Sequence, residues 1–545
     1  MNWMKYGGKA CALASATFVL AAQLWAAPPS DVVQTESGLV KGAVENGVLS
    51  FKGIPFAAPP VGPLRWRPPQ PAASWKGIRP AVAFGADCLQ VPFPSDAAPL
   101  GGKLSEDCLY LNIWRPAEPQ AHPLPVMVWI YGGGFVNGGT SPSVYDGKHF
   151  AEDGIVFVSI NYRVGRFGFF AFPALSKEHP QELHGNYGYM DQIAALKWVQ
   201  RNIAAFGGDP KHVTLFGESA GGGSVLTLLT SPLSQGLFQQ AMVESGGGRD
   251  LLMGPRYIDK TGPTGMPSAE SIGVNFAHSV GITDTGAAGL AALRALPAEK
   301  VVDGLNMATM GAARTTYSGP MLDGKIVRES PQQALEAGRW AKIPVTIGAN
   351  SADIGFPRGH TMDELFAPFG ANAAKAREIY NPEHSDNVML VGFRIAMDQM
   401  MVEPARFVAR TVSAQGIPAF EYRFSYVAAS LRDKLPGALH ATEIPYVFDT
   451  VQAAYKDKLT PQDEAMARDV HAYWVSFVKT GDPKPAGLPV WPAYTIQTDE
   501  LMNFTNAGPV AEPDPWKERL DLAESVDTAR PVSAAATAPA RTSTH

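Results

Sequence analysis

The chain has 545 residues, of which 46% are hydrophobic and 18% are charged, a composition typical of a globular protein with a large core. Its 45 lysine and arginine residues are outnumbered by 51 aspartate and glutamate residues, which gives a formal net charge of −6. This mildly acidic balance argues against nucleic acid or an anionic membrane surface as the partner.

The first 26 residues have the pattern of an export signal. Lys5 and Lys9 precede an apolar run at residues 10–22, and the small residues Ala26 and Ala27 follow. The run is too short to cross a bilayer and no other segment is long enough, so no membrane span is expected. We predict cleavage near Ala26 or Ala27 and delivery to the periplasm or the medium. The alternative is a cytoplasmic protein with an apolar N-terminal helix.

The three cysteines agree with export. Cys11 lies in the predicted signal, which leaves Cys88 and Cys108 as a pair. In an oxidising compartment these two thiols can close a loop of about twenty residues, which stabilises a fold by roughly 3 kcal/mol in the chain-entropy model. Export therefore favours a disulfide over the alternative of two buried free thiols.

Strand-like and helix-like runs alternate along the chain. Asn46-Gly47 favours a tight hairpin, and the proline-rich residues 55–80 cannot form a helix. Apolar residues spaced three and four apart predict helices at 189–206 and 464–479. The alternation predicts an α/β fold around a mostly parallel sheet that binds ligands at the carboxyl ends of its strands. The strand-like and core runs are 109–114, 125–131, 155–161, 213–216, Gln240–Glu244, 343–347, 419–426, 491–495 and 501–504.

The chain is predicted to form one domain. No interior linker or internal repeat divides it, so we assign residues 27–523 to a single unit after a signal at 1–26. Residues 247–320, with their Gly/Pro/Ala-rich turns and short helices, are expected to cover the site. The tail at 524–545 is rich in Ala, Pro, Thr and Ser, and we expect it to be disordered.

The segment Gly217-Glu218-Ser219-Ala220-Gly221 lies between an apolar strand and a helix-compatible run. This Gly-x-Ser-x-Gly pattern is typical of a nucleophile elbow, where small neighbours let a strained serine hold its hydroxyl clear of the sheet. The alternative is a phosphate-binding loop. No Gly-Lys-Ser/Thr follows, however, and no acidic residue lies at a ribose-binding spacing. We therefore predict Ser219 as a nucleophile.

Three successive glycines at 132–134 follow the strand predicted at 125–131. A glycine run at a strand end permits a turn whose N–H groups point inward, as an oxyanion hole requires. A flexible loop is the alternative. The placement of the run before the Ser219 strand favours the oxyanion hole.

A nucleophilic serine needs a base, and the base needs a third group to orient it; elbow hydrolases carry them in the order serine, acid, histidine. His440 follows the strand predicted at 419–426 and is the predicted base, with His360 as the alternative. Asp353 follows the strand predicted at 343–347 and is the predicted acid. Asp323 is assigned to a turn instead.

Five segments complete the pattern, and they are Phe51-Lys52-Gly53-Ile54-Pro55-Phe56-Ala57, Ser105-Glu106-Asp107-Cys108-Leu109-Tyr110-Leu111-Asn112-Ile113-Trp114, Trp129-Ile130-Tyr131-Gly132-Gly133-Gly134-Phe135, Phe216-Gly217-Glu218-Ser219-Ala220-Gly221 and Gly481-Asp482-Pro483. Together they resemble the type B carboxylesterase family, which includes bacterial para-nitrobenzyl esterases, animal carboxylesterases and cholinesterases. The matching segments extend over most of residues 30–510.

The resemblance implies an α/β-hydrolase fold and a serine esterase that cleaves a small-molecule ester through an acyl-enzyme, with no metal or organic cofactor. It implies Ser219 as the nucleophile and His440 as the base. The other implied members are Gly133, Gly134 and Ala220 as oxyanion N–H donors, Glu218 as a buried carboxylate beside the site, Ser245 as a hydrogen-bonding partner, and Cys88 with Cys108 as a disulfide.

Two features depart from the family pattern. The third catalytic member is usually a glutamate followed by glycine, whereas this chain has Asp353-Ile354-Gly355. Aspartate is one methylene shorter, so the His440 loop must approach it more closely. In addition, the loop between the two cysteines contains no tryptophan to bind a cation, which argues against a choline-ester specialist.

Two other functions stay open at this point. The same site could cleave amides, carbamates or a specialised natural ester. A non-catalytic binding protein is the second alternative, because some relatives act in adhesion; the presence of an occupant for every catalytic role argues against it. The sequence does not indicate the oligomeric state.

Overall fold

A computed structural model of the chain describes residues 31–250, 256–263 and 265–528. Within these ranges an 11-stranded mixed sheet runs through the protein. Its strands in chain order are β1 Ala43–Glu45, β2 Val48–Pro55, β3 Tyr110–Pro116, β4 Leu124–Ile130, β5 Val156–Ile160, β6 Gly208–Glu218, β7 Gln240–Glu244, β8 Val345–Asn350, β9 Ala419–Phe424, β10 Glu500–Thr505 and β11 Gly508–Pro513.

The strands lie side by side in the order β11-β10-β9-β8-β7-β6-β4-β5-β3-β2-β1. Those from β10 to β5 in this order are parallel, while β11 at one edge and β3, β2 and β1 at the other are antiparallel. A parallel sheet needs cover on both faces, and β5, β7, β8 and β9 consist entirely of buried residues. The predicted mostly parallel sheet is confirmed.

Helices cover the sheet. The longer ones are α1 Tyr187–Asn202, α2 Ala220–Thr230, α3 Ala269–Ser279, α4 Ala287–Arg294, α5 Ala373–Tyr380, α6 Val388–Met397, α7 Glu403–Ser413, α8 Pro461–Thr480 and α9 Lys517–Thr528. Short α-helices are Lys148–Glu152, Gly165–Gly168, Leu175–Glu178, Ala298–Val302, Pro331–Glu336, Met362–Phe366, Ile444–Val447 and Val451–Tyr455. Single turns of 3₁₀ or π helix are Gly62–Leu64, Ser143–Tyr145, Ile203–Phe206, Ala312–Thr315, Ala367–Asn372, Asp398–Val402, Ala429–Leu431 and Lys456–Lys458.

Three small sheets accompany the large one. The first has three strands and the other two have two strands each. Their strands are Val32–Thr35 with Gly38–Lys41 and Ile78–Pro80, Phe169–Phe170 with Gly185–Asn186, and Asp87–Cys88 with Leu104–Ser105.

Local sequence signals fix the ends of several elements. Asn46 and Gly47 adopt φ angles of 48° and 80°, so the predicted hairpin between β1 and β2 is confirmed. Helix α8 begins with a capping box, in which Thr460 and Asp463 each bond the other's backbone N–H. It ends at Gly481, which has the left-handed φ of 75°.

Two C-terminal segments differ from the prediction. Residues 491–495 are a loop, although Trp491 and Tyr494 are buried in the core, and the β10–β11 hairpin follows them. The sequence prediction of disorder from residue 524 is wrong at its start, because α9 continues to Thr528. Glu524 there accepts a 2.8 Å hydrogen bond from Arg410 Nη1, and Val526 is buried.

The predicted signal at 1–26 and the tail beyond 528 lie outside the described residues. In the three described ranges, no helix is long and apolar enough to cross a membrane.

The sheet brings three distant segments to one edge. β6 ends at Glu218, immediately before Ser219, and β8 ends at Asn350, three residues before Asp353. His440 follows β9 through a long loop. Because β6, β8 and β9 are parallel members of one sheet, their carboxyl ends share the same edge, where ligands of open α/β sheets bind.

Cys88 and Cys108 form the predicted disulfide, with their Cα atoms 4.9 Å apart. Replacing both cysteines with alanine should lower the free energy of unfolding by about 3 kcal/mol, because the unfolded chain regains the entropy that the closed loop removes. Urea denaturation of the oxidised protein and of the double variant measures the difference. An unchanged urea midpoint would contradict this prediction.

Candidate active site

Ser219 occupies a strained turn between β6 and α2. Its φ and ψ are 56° and −120°, in a region that residues with a side chain rarely adopt. The turn closes because the glycines around it lack side chains. A Cβ at Gly217 would lie 2.6 Å from the carbonyl oxygen of Ile130, and one at Gly222 would lie 2.8 Å from that of Glu244. This is the geometry of a nucleophile elbow.

His440 bridges Ser219 and Asp353. Its Nε2 lies 2.8 Å from Ser219 Oγ, and its Nδ1 lies 2.5 Å from Asp353 Oδ1. In the neutral imidazole with its proton on Nδ1, that N–H donates to the carboxylate and Nε2 accepts from the serine hydroxyl. The fold thus joins side chains that lie 221 and 87 positions from His440 in the sequence.

Asp353 is fully buried, and its carboxylate is held by short hydrogen bonds. Ser245 Oγ donates to Oδ2 at 2.7 Å and the Asn350 backbone N–H donates to the same oxygen at 2.9 Å. The Ile354 N–H donates to Oδ1 at 2.8 Å. Burial raises the pKa of Asp353, but attraction to His440 and these hydrogen bonds outweigh burial and lower it. The carboxylate is therefore ionised and able to orient the imidazole.

The loop that carries His440 packs directly against the loop that carries Asp353. A parallel bridge pairs Ala352 with Leu439. The Asn350 side chain also donates from Nδ2 to the carbonyl oxygen of Leu439 at 2.6 Å. These contacts bring the imidazole within reach of the shorter aspartate side chain.

The predicted glycine loop lies against the elbow. A Cβ at Gly132 would lie only 2.9 Å from Ser219 Cβ, and Gly133 and Gly134 have φ angles of 107° and 63°. Within residues 31–250, neither Gly133 nor Gly134 donates its N–H to a protein acceptor. These N–H groups, with that of Ala220 at the N-terminus of α2, are suited to hold an anionic oxygen.

Asn137 anchors this glycine loop. It is fully buried, and its backbone N–H donates to the Gly133 carbonyl oxygen at 2.9 Å. Its Nδ2 donates to Gln90 Oε1 at 3.0 Å and to the Val91 carbonyl at 2.7 Å. Its Oδ1 accepts from the Met307 N–H at 2.9 Å. One amide side chain therefore ties the glycine loop both to the disulfide loop and to the excursion that includes Met307.

Two buried glutamates flank the histidine. Glu218 Oε1 lies 3.1 Å from His440 Nε2, and Glu443 Oε2 accepts from Asn350 Nδ2 at 2.5 Å. Burial raises the pKa of Glu218 well above its usual range and that of Glu443 to about 7. At His440 burial by itself lowers the pKa, but the negative charges of Glu218 and Asp353 outweigh burial and raise it.

Sequence reasoning missed Glu443, Asn350 and Asn137. Glu443 had a signal, since it is the one acidic residue in the segment 441–448 and lies three positions after His440. The two asparagines had none, because their partners come from distant segments and are partly backbone groups.

The two rejected candidates lie elsewhere. His360 is exposed, and its backbone N–H donates to Glu364 Oε2 at 2.8 Å. Asp323 Oδ1 accepts from the N–H groups of Lys325 and Val327 at 2.8 and 2.9 Å, which confirms its assignment to a turn.

A pocket with about 710 Å³ of space, partly open to solvent, begins at Ser219. Among its lining residues are Phe135, Tyr189, Leu226 and Met321, so much of its wall is apolar. Of the residues that the structure describes, neither His440 nor the glycine pair at 133–134 lines it. Phe135, which directly follows the glycine pair, and Ala220 do line it, so the pocket lies beside the glycine loop, and His440 is not part of its wall.

Comparison with known proteins identifies similar chains. Residues 29–520 match the carboxylesterase family. Fumonisin B1 esterase of Sphingopyxis macrogoltabida is 36% identical over 495 residues, which cover 87% of this chain and 86% of that protein. Para-nitrobenzyl esterase of Bacillus subtilis (strain 168) is 34% identical over 510 residues, which cover 90% and 97%. Two solved PNB esterase structures align with TM-scores of 0.76 and 0.74 at 32% and 33% identity; each alignment covers 90% of this chain and 99% of the other.

The raised pKa of His440 leads to a prediction about pH. Ser219 gives up its proton only to a neutral imidazole, so its rate of reaction with an organophosphonate should rise as the pH passes the pKa of His440. Glu218→Gln removes a charge that favours the imidazolium, which lowers this pKa. The rise should therefore occur at lower pH in the variant, as measured by inactivation rates across the pH range.

Glu443→Gln is the matched comparison, because Glu443 is the weaker of the two neighbouring influences on His440. It should move the rise in the same direction but less far. A Glu218→Gln midpoint that is unchanged or moved to higher pH would contradict this account of the site's electrostatics.

Proposed function

Because the chain belongs to the carboxylesterase family and is a carboxylic ester hydrolase, we propose that Ser219, His440 and Asp353 are its catalytic triad. The observation that carries the proposal is the hydrogen-bonded chain from the serine hydroxyl through the imidazole to the buried carboxylate. Each group stands at the distance that its role requires.

In the first half-reaction, Ser219 Oγ attacks the ester carbonyl carbon while His440 Nε2 takes the serine proton. The carbonyl oxygen becomes an oxyanion that accepts hydrogen bonds from the N–H groups at 133, 134 and 220. When the tetrahedral intermediate collapses, His440 returns the proton to the leaving alcohol. The acyl group then remains on Ser219 as an ester.

In the second half-reaction, His440 takes a proton from a water molecule, which attacks the acyl-enzyme. The same N–H groups stabilise the second oxyanion, and collapse releases the carboxylic acid and restores the serine hydroxyl. Asp353 keeps the imidazole in the tautomer with its proton on Nδ1 and stabilises the imidazolium that forms in both halves. Ser245 and the backbone N–H groups that hold Asp353 fix its orientation.

The arrangement of groups around the tetrahedral carbon indicates which part of the substrate the pocket holds. The carbon bonded to Ser219 carries an oxyanion, a leaving oxygen and the acyl chain. The oxyanion faces the glycine loop, and the leaving oxygen must face His440 to receive its proton. The remaining substituent, the acyl chain, points into the pocket lined by Phe135 and Leu226. We propose small-molecule esters with an apolar acyl group as the substrates.

We also propose that the protein is exported, and the disulfide between Cys88 and Cys108 supports this proposal. Intact mass measurement of the protein from the periplasm or medium should give an N-terminus near Ala26 or Ala27. A protein that retains Met1 would contradict it.

Ser219→Ala tests the triad. The variant should lose a factor on the order of 10⁵ to 10⁶ in kcat for p-nitrophenyl esters, because no other group can form the acyl-enzyme, and Asp353→Ala should lose somewhat less. A fluorescent organophosphonate should label the natural protein at Ser219, as peptide mass mapping would locate, and should leave Ser219→Ala unlabelled. Circular dichroism checks that the variants are folded.

Near-normal hydrolysis by the folded Ser219→Ala variant would contradict the proposal. If Asp353→Ala kept normal turnover while Glu218→Ala or Glu443→Ala abolished it, only the identity of the triad's acidic residue would be wrong.

A further inference from the structure

Helix α2 begins with Ala220, which three consecutive glycines follow, and the first two of these are required by packing. A Cβ at Gly221 would collide with the carbonyl group of Ile130, and one at Gly222 would lie 2.8 Å from both Glu244 O and Gly246 Cα. Neither neighbour is the flexible end of a side chain, so neither can move away cheaply. The first two glycines are therefore part of the elbow.

Gly223 differs from them. A Cβ at this position would meet nothing closer than Gly246 O at 3.7 Å and the Phe135 ring edge at 4.0 Å, which are ordinary van der Waals distances. Its φ is not positive, since the residue lies within α2. Neither the backbone conformation nor packing against the described part of the chain requires glycine here.

The other glycines of the longer helices α1 to α9 have a packing reason. In α1 a Cβ at Gly188 would lie 2.7 Å from the Phe169 ring, and in α6 one at Gly392 would lie 2.8 Å from Pro357. A Cβ on the glycine of α3, or on the glycine of α4, would collide with a backbone carbonyl. A glycine inside a helix costs about 1 kcal/mol relative to alanine. At position 223 no contact with the residues that the structure describes offsets that cost.

The position of Gly223 indicates which part of the pocket its missing side chain leaves empty. Ser219 immediately precedes α2 and lines the pocket, and the Gly223 N–H donates to the Ser219 carbonyl oxygen at 2.8 Å, so Gly223 lies one helical turn after the serine. Gly223 also lines the pocket, beside Phe135 and Gly246. The empty volume therefore begins where the first carbons of an acyl chain on Ser219 would lie.

We propose that Gly223 is a specificity-determining residue, and that its missing side chain admits acyl groups that are bulky next to the carbonyl carbon, such as branched or aromatic acids. The proposal rests on the proposed function, because it takes Ser219 as the nucleophile and the pocket as the acyl site. It adds the shape of the acid that the enzyme accepts.

The test compares Gly223→Ala and Gly223→Leu with the natural protein on p-nitrophenyl acetate, butyrate, pivalate and benzoate. The kcat/KM ratio of benzoate or pivalate to acetate should fall at least about tenfold in Gly223→Leu, because one methylene in an apolar pocket changes discrimination by about 10-fold or more. Gly223→Ala should fall less. A parallel series of acetate esters with increasingly large alcohols should keep its natural order, since the alcohol lies on the His440 side.

Stability separates this effect from misfolding. Gly223→Ala should raise Tm, because alanine favours a helix interior and meets no clash. Gly222→Ala is the matched control one residue away: its Cβ would press on Glu244 O, so it should lower Tm and depress all four esters together. If Gly223→Leu fails to fold, the alanine variant decides the question through its smaller shift in ratio.

Labelling by a small methylphosphonate distinguishes failure of the proposed function from failure of the Gly223 proposal. If the wild type is labelled at a residue other than Ser219, the proposed function fails whatever the Gly223 variants do. If Ser219 is labelled in the wild type and in folded Gly223 variants, but the benzoate-to-acetate ratio is unchanged or all esters fall equally, then Gly223 does not set acyl size and this inference is overturned.

Discussion

The site depends on a single ionised carboxylate that the fold removes from water. An unpaired buried charge is strongly unfavourable, and the groups that donate hydrogen bonds to Asp353 compensate its charge. The compensation comes from the hydroxyl of Ser245, from two backbone N–H groups and from the imidazole of His440. Because the imidazole is one of these partners, the same hydrogen bond that stabilises the buried carboxylate also holds the imidazole beside Ser219.

The sheet delivers these groups, and the glycines let them meet. Parallel strands place the ends of β6 and β8 at one edge, so neither Ser219 nor Asp353 needs a long loop to reach the site. The backbone segments around Ser219 lie very close together, and side chains at Gly217 or Gly132 would prevent this close packing. The strained conformation of Ser219 is held by the close packing of the segments around it. Gly223 stands apart from this group, since its empty space faces the pocket rather than the protein.

Sequence was sufficient for the parts of the site that rest on local pattern and chain order. The elbow around Ser219 has a short motif, while Asp353 and His440 follow strands in the order that such sites use, and the three side chains do converge. The supporting residues could not be found in this way. Asn137 joins three segments through backbone and amide contacts, which leave no periodic or compositional trace. The one signal for Glu443 is its place three positions after His440. The start of the tail was misplaced for a similar reason, because the ion pair that holds Glu524 depends on Arg410 in a distant helix.

The hydrogen bond between His440 and Asp353 can be observed directly by proton NMR. A proton on Nδ1 that is shared with a buried carboxylate is protected from exchange and resonates well downfield of the backbone amides. The account predicts such a resonance in the natural protein and its loss in both Asp353→Asn and His440→Gln. A downfield resonance that persists in folded Asp353→Asn would contradict the account, because the imidazole would then be held by another group.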